Sequence, residues 1–99
     1  MFTVQVWAVG TFAFLFEGKK LLLTLDVEKD RVLSVDEFID LVDARYNGQL
    51  KPELFLEDGR RNDWVRVMVN GRDIRFLPPE KLWVRDGDTI MISSVLAGG

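Results

Sequence analysis

A single amphipathic helix, predicted from Ser34 to Gly48, constrains the fold more than any other feature of this sequence. Ser34 and Glu37 have the spacing of a capping box, in which the serine oxygen accepts a hydrogen bond from an early amide and the glutamate reaches back. The apolar residues that follow recur every three or four positions, as on one stripe of a helix: Val35, Phe38, Ile39, Val42 and Tyr46. Gly48 permits the left-handed conformation that ends many helices. Because an apolar stripe has to be buried, we expect this helix to cover a sheet.

Five other segments have the pattern of strands, with apolar residues in period two or in short runs between turn residues. They are residues 2–9, 21–27, 64–69, 72–76 and 88–95. Asn70-Gly71 lies between the third and fourth segments, and this dipeptide is a strong signal for a type I′ hairpin turn. The order of elements is therefore strand, strand, helix, strand, strand, strand.

This order predicts an α+β domain of two layers, in which a mixed sheet of four or five strands packs on one main helix. We expect the first and last strands to lie side by side and parallel, with the helix covering the crossover between them. That arrangement is the β-grasp, or ubiquitin-like, fold. The 99 residues have room for one domain, which we place at residues 1–95, followed by a flexible tail at residues 96–99.

The composition excludes several kinds of chemistry. The sequence has no cysteine and no histidine, which removes disulfides, thiolate clusters, a cysteine nucleophile and the commonest general base. Asp86 and Asp88 flank a glycine, and we expect them to shape a turn rather than to act as a catalytic pair. No apolar run has the roughly 20 residues of a membrane span. We therefore expect a cytoplasmic protein that is not an enzyme and that binds no metal, cofactor or membrane itself.

Two glycines, Gly98 and Gly99, follow the last predicted strand closely. At an average glycine content of about 7%, such a pair arises by chance in about one chain in 200. Glycine lets the backbone approach another molecule closely and adopt unusual dihedral angles. Fully extended, residues 95–99 would reach about 17 Å beyond the sheet. These residues therefore have the properties of a tail that enters a narrow cleft of another protein.

Three segments near this tail resemble one known family. They are residues 67–75 (Val-Met-Val-Asn-Gly-Arg-Asp-Ile-Arg), 86–92 (Asp-Gly-Asp-Thr-Ile-Met-Ile) and 94–99 (Ser-Val-Leu-Ala-Gly-Gly). Together with the order of elements, they are similar to the ubiquitin-like sulfur carriers. That family includes the small subunit of molybdopterin synthase (MoaD) and the carrier of thiamine synthesis (ThiS).

The resemblance implies that a partner related to ubiquitin-activating enzymes uses ATP to adenylate the C-terminal glycine carboxylate, which then becomes a sulfur-donating thiocarboxylate. Gly99 would be the reacting residue and Gly98 its required neighbour. The role we expect first is that of the small subunit of molybdopterin synthase, with a large catalytic subunit as the second partner. Three alternatives stay open: a carrier for thiamine, cysteine or tRNA thiolation, a modifier conjugated to lysines, and a plain ubiquitin-like interaction domain.

Two features depart from the family pattern. Residues 12–16 (Phe-Ala-Phe-Leu-Phe) are apolar where the family carries a polar segment, often with Arg-Glu, and they fit core packing better than a docking site. The connection over residues 48–63 is long, as in carriers of archaea and some bacteria. Both features bear on the pathway that receives the sulfur rather than on the carrier chemistry.

The outer face of the sheet is the predicted partner surface. The alternation places four large apolar residues there: Trp7, Leu22, Met68 and Met91. A two-residue turn would also set Arg66 opposite Arg75 on this face, where like charges repel unless a partner or nearby aspartates offset them. The partner-binding residues that we predict are Trp7, Arg66, Arg75, Val95, Leu96 and Ala97. The alternative is a solvated or covered face without a partner.

The charges segregate along the chain. Residues 26–47 hold seven acidic and three basic side chains, a net of −4, whereas residues 60–85 hold seven basic and three acidic ones, a net of +4. Some basic stripes bind RNA, but this whole chain has a formal net charge of −3, unlike most nucleic-acid-binding domains. We therefore expect the basic segment to steer an acidic protein partner, and we expect no nucleic acid.

Overall fold

The computed structural model describes residues 1–10, 12–16 and 20–94, which form seven strands and three helices. In chain order they are β1 (Phe2–Val9), α1 (Phe12–Leu15), β2 (Lys20–Leu25), β3 (Leu33–Ser34), α2 (Val35–Arg45), α3 (Lys51–Leu54), β4 (Val65–Val69), β5 (Arg72–Asp73), β6 (Trp83–Val84) and β7 (Thr89–Ser94). Two 3-10 turns, Ile74–Phe76 and Pro79–Lys81, lie between β5 and β6.

Five of the strands form one mixed sheet in the order β2-β1-β7-β4-β5. β1 and β7 are parallel neighbours at its centre, where Val6 lies opposite Ile90 and Ala8 opposite Ile92. β2 pairs antiparallel with β1, and β4 pairs antiparallel with β7. This topology, with α2 as the main helix between the two halves of the sheet, confirms the predicted β-grasp.

One face of this sheet and the apolar stripe of α2 enclose the core. Every second residue of β1 is buried, as its alternation predicts: Phe2, Val4, Val6 and Ala8. The buried residues of α2 are Val35, Phe38, Ile39 and Val42. Burying one large apolar side chain stabilises the folded state by about 1.5–3 kcal/mol. This packing therefore decides which face of the sheet is left for other molecules.

Both ends of α2 are closed in the way the sequence predicts. Glu37 N donates to Ser34 Oγ at 3.0 Å, and Ser34 N donates to Glu37 Oε1 at 3.2 Å. Hydrogen bonding to Ser34, with the backbone amide as the largest contributor, lowers the pKa of Glu37. At the other end Gly48 has φ +75°, in the left-handed region that glycine adopts without strain.

The connection after α2 is shaped by Asp43. Its Oδ1 accepts hydrogen bonds from Leu50 N at 3.0 Å and Lys51 N at 2.8 Å, which fixes the start of α3. Leu50 and Leu54 are buried, so this long connection contributes to the core. The sequence does not predict α3, because four residues are too few to show a helical period.

A second sheet of two short strands was also not predicted. β3 and β6 pair antiparallel, with Leu33 opposite Val84, and both of these side chains have no exposed surface (0%). Two-residue strands that lie far apart in the sequence have no alternation by which they can be recognised.

The predicted return strand at residues 72–76 is wrong beyond Asp73. β5 ends there because the Asp73 side chain caps a 3-10 turn, with Arg75 N donating to Oδ1 at 3.0 Å. The predicted turn before it is confirmed, since Asn70 has φ +50° and Gly71 has φ +83°. Across the hairpin, the paired residues are Met68–Asp73 and Val69–Arg72.

Candidate functional site

The predicted reactive tail follows the last residues of β7 in the sequence. Ser93 is opposite both Val9 of β1 and Arg66 of β4, and Ser94 is opposite Val65. The chain thus leads toward residues 95–99 from the centre of the sheet and not from an edge. Five of the predicted site residues lie outside the described residues: Val95, Leu96, Ala97, Gly98 and Gly99.

The outer face of the sheet carries a row of apolar side chains near this end. Trp7 of β1 lies opposite Met91 of β7, and Met91 lies opposite Met68 of β4. Trp7 is 38% exposed, and the two methionines are half-buried. The prediction that these side chains share the outer face is confirmed, and their binding of a partner stays a prediction.

A cation lies over the aromatic ring of this row. Lys20 Nζ is 4.7 Å from the centroid of the Trp7 ring, a distance at which the ring face attracts an ammonium group. Leu22, two residues along the same strand, is 73% exposed and lies opposite Gln5. The face therefore combines large apolar side chains with positive charge, a composition that is typical of protein interfaces.

The predicted opposition of Arg66 and Arg75 across the hairpin is wrong. Because β5 ends at Asp73, Arg75 lies outside the strand, and Arg66 lies opposite Ser93 of β7. The two guanidinium groups instead share one carboxylate. Arg75 Nη2 is 2.9 Å and Arg66 Nε is 3.4 Å from Asp73 Oδ2. Asp73 thus joins two arginines that would otherwise repel each other.

The Asp73 carboxylate is stabilised in its charged form beside the outer face. Burial raises the pKa of Asp73, but hydrogen bonds from Arg75 and the charges of both arginines outweigh that effect and lower the pKa overall. Asp73 in turn raises the pKa of Arg75 above its ordinary value. The Asp73 side chain is only 10% exposed, whereas 46% of Arg66 and 32% of Arg75 stay accessible. Both arginines therefore have N–H groups left for the carboxylates of a partner.

Two exposed apolar residues, which lie beside the end of β7, are not among the predicted site residues. Val9 is 48% exposed and lies opposite Ser93, and Trp64, 56% exposed, directly precedes the Val65 that pairs with Ser94. They flank the point from which the chain leads to residues 95–99. The alternation of β1 already places Val9 on the outer face, and Trp64, the first residue of the predicted strand 64–69, alternates with Arg66 and Met68 onto the same face.

The apolar segment after β1 is divided between core and surface. Phe12 and Phe16 are buried, and the ring of Phe16 packs edge-to-face on Tyr46 with centroids 5.0 Å apart. Phe14 is 87% exposed. The prediction of core packing is thus confirmed for two of the three phenylalanines, because a helical turn places positions 12 and 16 on one side.

The described part of the chain shows no metal-binding group. Within residues 1–10, 12–16 and 20–94, no cluster of acidic side chains is placed to hold a metal ion. In the same ranges, no helix is long and apolar enough to cross a membrane. Asp88 supports the predicted turn, since its Oδ2 accepts from Arg85 N at 2.8 Å, whereas Asp86 joins this turn to β1 by accepting from Thr3 N at 2.7 Å. The described surface beside the end of β7 thus carries exposed apolar side chains and guanidinium groups, and its binding of a partner stays a prediction.

Comparison with known proteins identifies a family and a relative. The family model described as Urm1 (Ubiquitin related modifier) matches residues 3–99. A protein of Archaeoglobus fulgidus named "Putative sulfur carrier protein" is 31% identical over 77 residues, which cover 78% of this chain and 83% of that protein.

Several solved structures are also similar. A chain in the crystal structure of the BexX/CysO complex from Amycolatopsis orientalis is 32% identical, with a TM-score of 0.66 over 97% of this chain and 99% of that one. The HVO 2177 protein of Haloferax volcanii is 26% identical, with a TM-score of 0.69 over 99% of this chain and 87% of that one. SAMP1 from Haloferax volcanii, at 18% identity and a TM-score of 0.68, covers 98% of this chain and 99% of its own, and it supports the fold alone.

Proposed function

Because this chain belongs to the Urm1 family of ubiquitin related modifiers, we propose that it carries sulfur as a thiocarboxylate on its C-terminal glycine. The observation that carries the proposal is the Gly98-Gly99 pair, which follows the central strand β7 and lies within the residues that the family model matches. The name of the relative from Archaeoglobus fulgidus, which calls that protein a sulfur carrier, supports the same chemistry.

The chemistry consists of two steps at Gly99, both carried out by partners. A carboxylate oxygen attacks the α-phosphorus of ATP, and pyrophosphate leaves. Hydrosulfide then attacks the acyl carbon, AMP leaves, and a proton is released as the thiocarboxylate forms. The chain is the substrate of these steps and supplies no catalytic group, in keeping with a sequence that has neither cysteine nor histidine.

We propose that the outer sheet face binds the activating partner while the tail enters its active site. Trp7 with its methionine neighbours gives an apolar centre, and Arg66 and Arg75, held by Asp73, give a charged rim. An apolar centre with a polar rim is the usual anatomy of an interface. The residues proposed to link this surface to the reacting glycine are Val95, Leu96 and Ala97.

The absence of cysteine makes a sharp test available, because a thiol-reactive reagent then has no side-chain thiol to label. The chain is incubated with a partner related to ubiquitin-activating enzymes, ATP and sulfide, and is then treated with iodoacetamide. We expect an intact mass with one oxygen replaced by sulfur, and alkylation of that species. A variant that lacks Gly98 and Gly99 should show neither change. If the complete mixture never yields the labelled species, the proposal is wrong.

For the acceptor of the sulfur we propose first the large subunit of molybdopterin synthase, because residues 67–75, 86–92 and 94–99 resemble the sulfur-carrier family that includes the small subunit of that enzyme. The long connection over residues 48–63, which bears on the pathway, favours a second candidate, a carrier for thiamine, cysteine or tRNA thiolation. The thiocarboxylated chain is mixed with each acceptor and its substrate in turn. Loss of the sulfur from the intact mass identifies the acceptor, and retention with the molybdopterin synthase subunit excludes the first choice.

A second candidate function is attachment to other proteins, which the description of the family as a ubiquitin related modifier favours. The last basic residue is Arg85, so trypsin would leave residues 86–99 as a branch on a modified lysine. Tryptic peptides from cells that express the chain should be searched for this branch. Branched lysines would establish a modifier, whereas thiocarboxylate without any branch would establish a carrier alone.

A further inference from the structure

A cleft of about 450 Å³ lies at one end of the main sheet, near Thr89, where β7 begins. The other end of the sheet holds Ser94, where β7 ends. We call this cleft the distal cleft, and its principal lining residues are Arg72, Lys81, Trp83 and Arg85. These residues come from β5, from the second 3-10 turn, from β6 and from the segment after β6. The predicted partner surface includes none of these residues, and Lys81, Trp83 and Arg85 also lie outside the segments that carry the family resemblance.

The length of the sheet separates the distal cleft from Ser94, the last residue of β7. Val65 lies opposite Ser94 at one end of β4, and Asn70 N donates to Thr89 O at 2.8 Å just beyond the other end. Five residue steps at about 3.4 Å each place these two ends about 17 Å apart. A partner that binds beside the end of β7 therefore has no need to cover the distal cleft.

Three cations of the cleft have no anionic partner within residues 1–10, 12–16 and 20–94. Arg72, Lys81 and Arg85 are exposed, and their side chains make no ion pair or hydrogen bond with the part of the chain that the structure describes. Other arginines of the same basic segment do pair with aspartates: Arg60, Arg66 and Arg75. Of the four basic side chains in residues 60–85 that pair with no described acidic residue, three thus line this cleft, and the fourth, Arg61, does not.

The two acidic residues of the lining leave these cations available. Both oxygens of Asp88 accept hydrogen bonds within the fold, Oδ1 from Asn70 Nδ2 at 3.0 Å and Oδ2 from Arg85 N at 2.8 Å. Glu80 is exposed and makes no ion pair with any described residue. Three basic side chains against two acidic ones leave the lining with a formal net charge of +1.

Trp83 gives the cleft a fixed aromatic wall. Its Nε1 donates to Glu80 O at 2.8 Å, and 40% of the residue is exposed. Its backbone is held by pairing with Ser34, and the next residue, Val84, is fully buried. An oriented tryptophan beside free arginines is the combination that dominates binding energy at protein interfaces.

We propose that the distal cleft binds an acidic, extended segment of a partner protein. Carboxylates of that segment would pair with Arg72, Lys81 and Arg85, and one apolar side chain would pack on Trp83. RNA fits less well, because the chain has a net charge of −3 and its acidic residues 26–47 would repel a continuous polyanion. The proposal does not depend on the sulfur chemistry at Gly99.

The probe is a synthetic peptide, Glu-Glu-Leu-Glu-Glu with blocked termini, and the readout is the indole N–H resonance of each of the three tryptophans. We expect a saturable shift of the Trp83 signal, with the signals of Trp7 and Trp64 unmoved. Lys81→Gln and Arg85→Gln should each weaken binding at least threefold. The matched controls are Lys29→Gln and Arg45→Gln, which remove exposed cations that lie outside the cleft.

Several results would overturn the proposal. One is an unmoved Trp83 signal at millimolar peptide, and another is equal affinity in the cleft variants and the controls. Binding that does not weaken with added salt would also contradict an electrostatic site. A single-stranded RNA pentanucleotide is the second probe, and binding of RNA without binding of the peptide would show that the partner is not a protein. None of these measurements needs a thiocarboxylate, so they are independent of the proposed carrier function.

Discussion

Asp73 and Arg75 form a two-point ion pair, in which Arg75 Nη2 lies 2.9 Å from Oδ2 and Arg75 Nε lies 3.2 Å from Oδ1. The same carboxylate also accepts the Arg75 backbone amide. Such local side-chain bonds compete with strand pairing, and here they end β5 after two residues. They also leave Oδ2 within 3.4 Å of Arg66 Nε. One aspartate thus decides both the end of the hairpin and the positions of two predicted partner-binding residues.

We expect Asp73→Ala to lower the free energy of unfolding by about 1–2 kcal/mol, because it removes a cap and a charge-assisted hydrogen bond at a poorly exposed site. Urea unfolding followed by tryptophan fluorescence measures this loss. Asp58→Ala is a matched control, since Asp58 binds Arg60, also two residues ahead, but both of those side chains are more than half exposed. The control should lie within about 0.5 kcal/mol of the unchanged chain. Equal losses in the two variants would contradict the role assigned to Asp73.

The stability of the chain should depend on pH through Asp73. Its pKa in the folded state is lowered from the ordinary value of 3.8, so the fold prefers the charged form. The resulting stabilisation is complete above the ordinary pKa and is lost as pH falls through the folded pKa. Urea midpoints measured from about pH 5 to pH 2 should therefore change less in Asp73→Asn than in the unchanged chain. An unaltered slope in Asp73→Asn would refute this assignment.

The capping box of α2 gives a second stability prediction. Ser34→Ala removes the oxygen that accepts from Glu37 N, and it should cost about 1 kcal/mol. Ser93→Ala is the control, because that half-buried serine lies on the sheet and caps no helix. We expect the control within about 0.5 kcal/mol in the same urea assay. A Ser34→Ala variant as stable as the control would show that packing alone holds α2.

The periodic parts of this fold can be predicted from sequence. β1, α2 and β7 each contain enough residues for a period to show, and Ser34 and Gly48 mark where the helix begins and ends. The parallel placement of β1 and β7 then follows from the order of elements. The end of β5 at Asp73 cannot be predicted in this way, because Ile74 and Phe76, which follow it, alternate with polar residues as in a strand. Only the local bonds of Asp73 decide against pairing.

The same distinction holds for the candidate site. The outer position of Trp7 and Met91 follows from alternation within long strands, whereas the contact of Arg66 with Asp73 depends on where the hairpin ends. The distal cleft brings together Arg72 and Trp83 from separate short elements, and no local pattern connects them. Short elements are held by their surroundings rather than by their own period, so their contacts require the structure.

The pair of β3 and β6 shows how much such a short element can matter. Leu33 has no exposed surface and lies opposite Val84, so Leu33→Ala should leave a cavity and cost about 2–5 kcal/mol. Leu22→Ala is the matched control, since Leu22 is 73% exposed in β2. Thermal and urea unfolding should place the control within about 0.5 kcal/mol of the unchanged chain. A small loss for Leu33→Ala would mean that this second sheet is dispensable.

Adenylation of Gly99 should depend on the outer face of the sheet and not on the distal cleft. Trp7 lies at the centre of the proposed partner surface, and Trp7→Ala should weaken binding to the activating partner by about 2 kcal/mol, roughly 30-fold. Trp83→Ala is the matched control, because it removes an equally exposed tryptophan at the other end of the sheet. Its KM in an ATP–pyrophosphate exchange assay should be unchanged, while that of Trp7→Ala rises. Circular dichroism confirms that both variants fold. A rise of KM in Trp83→Ala that matches the rise in Trp7→Ala would show that the partner covers both ends of the sheet, and the two surfaces would then have to be assigned to one interface.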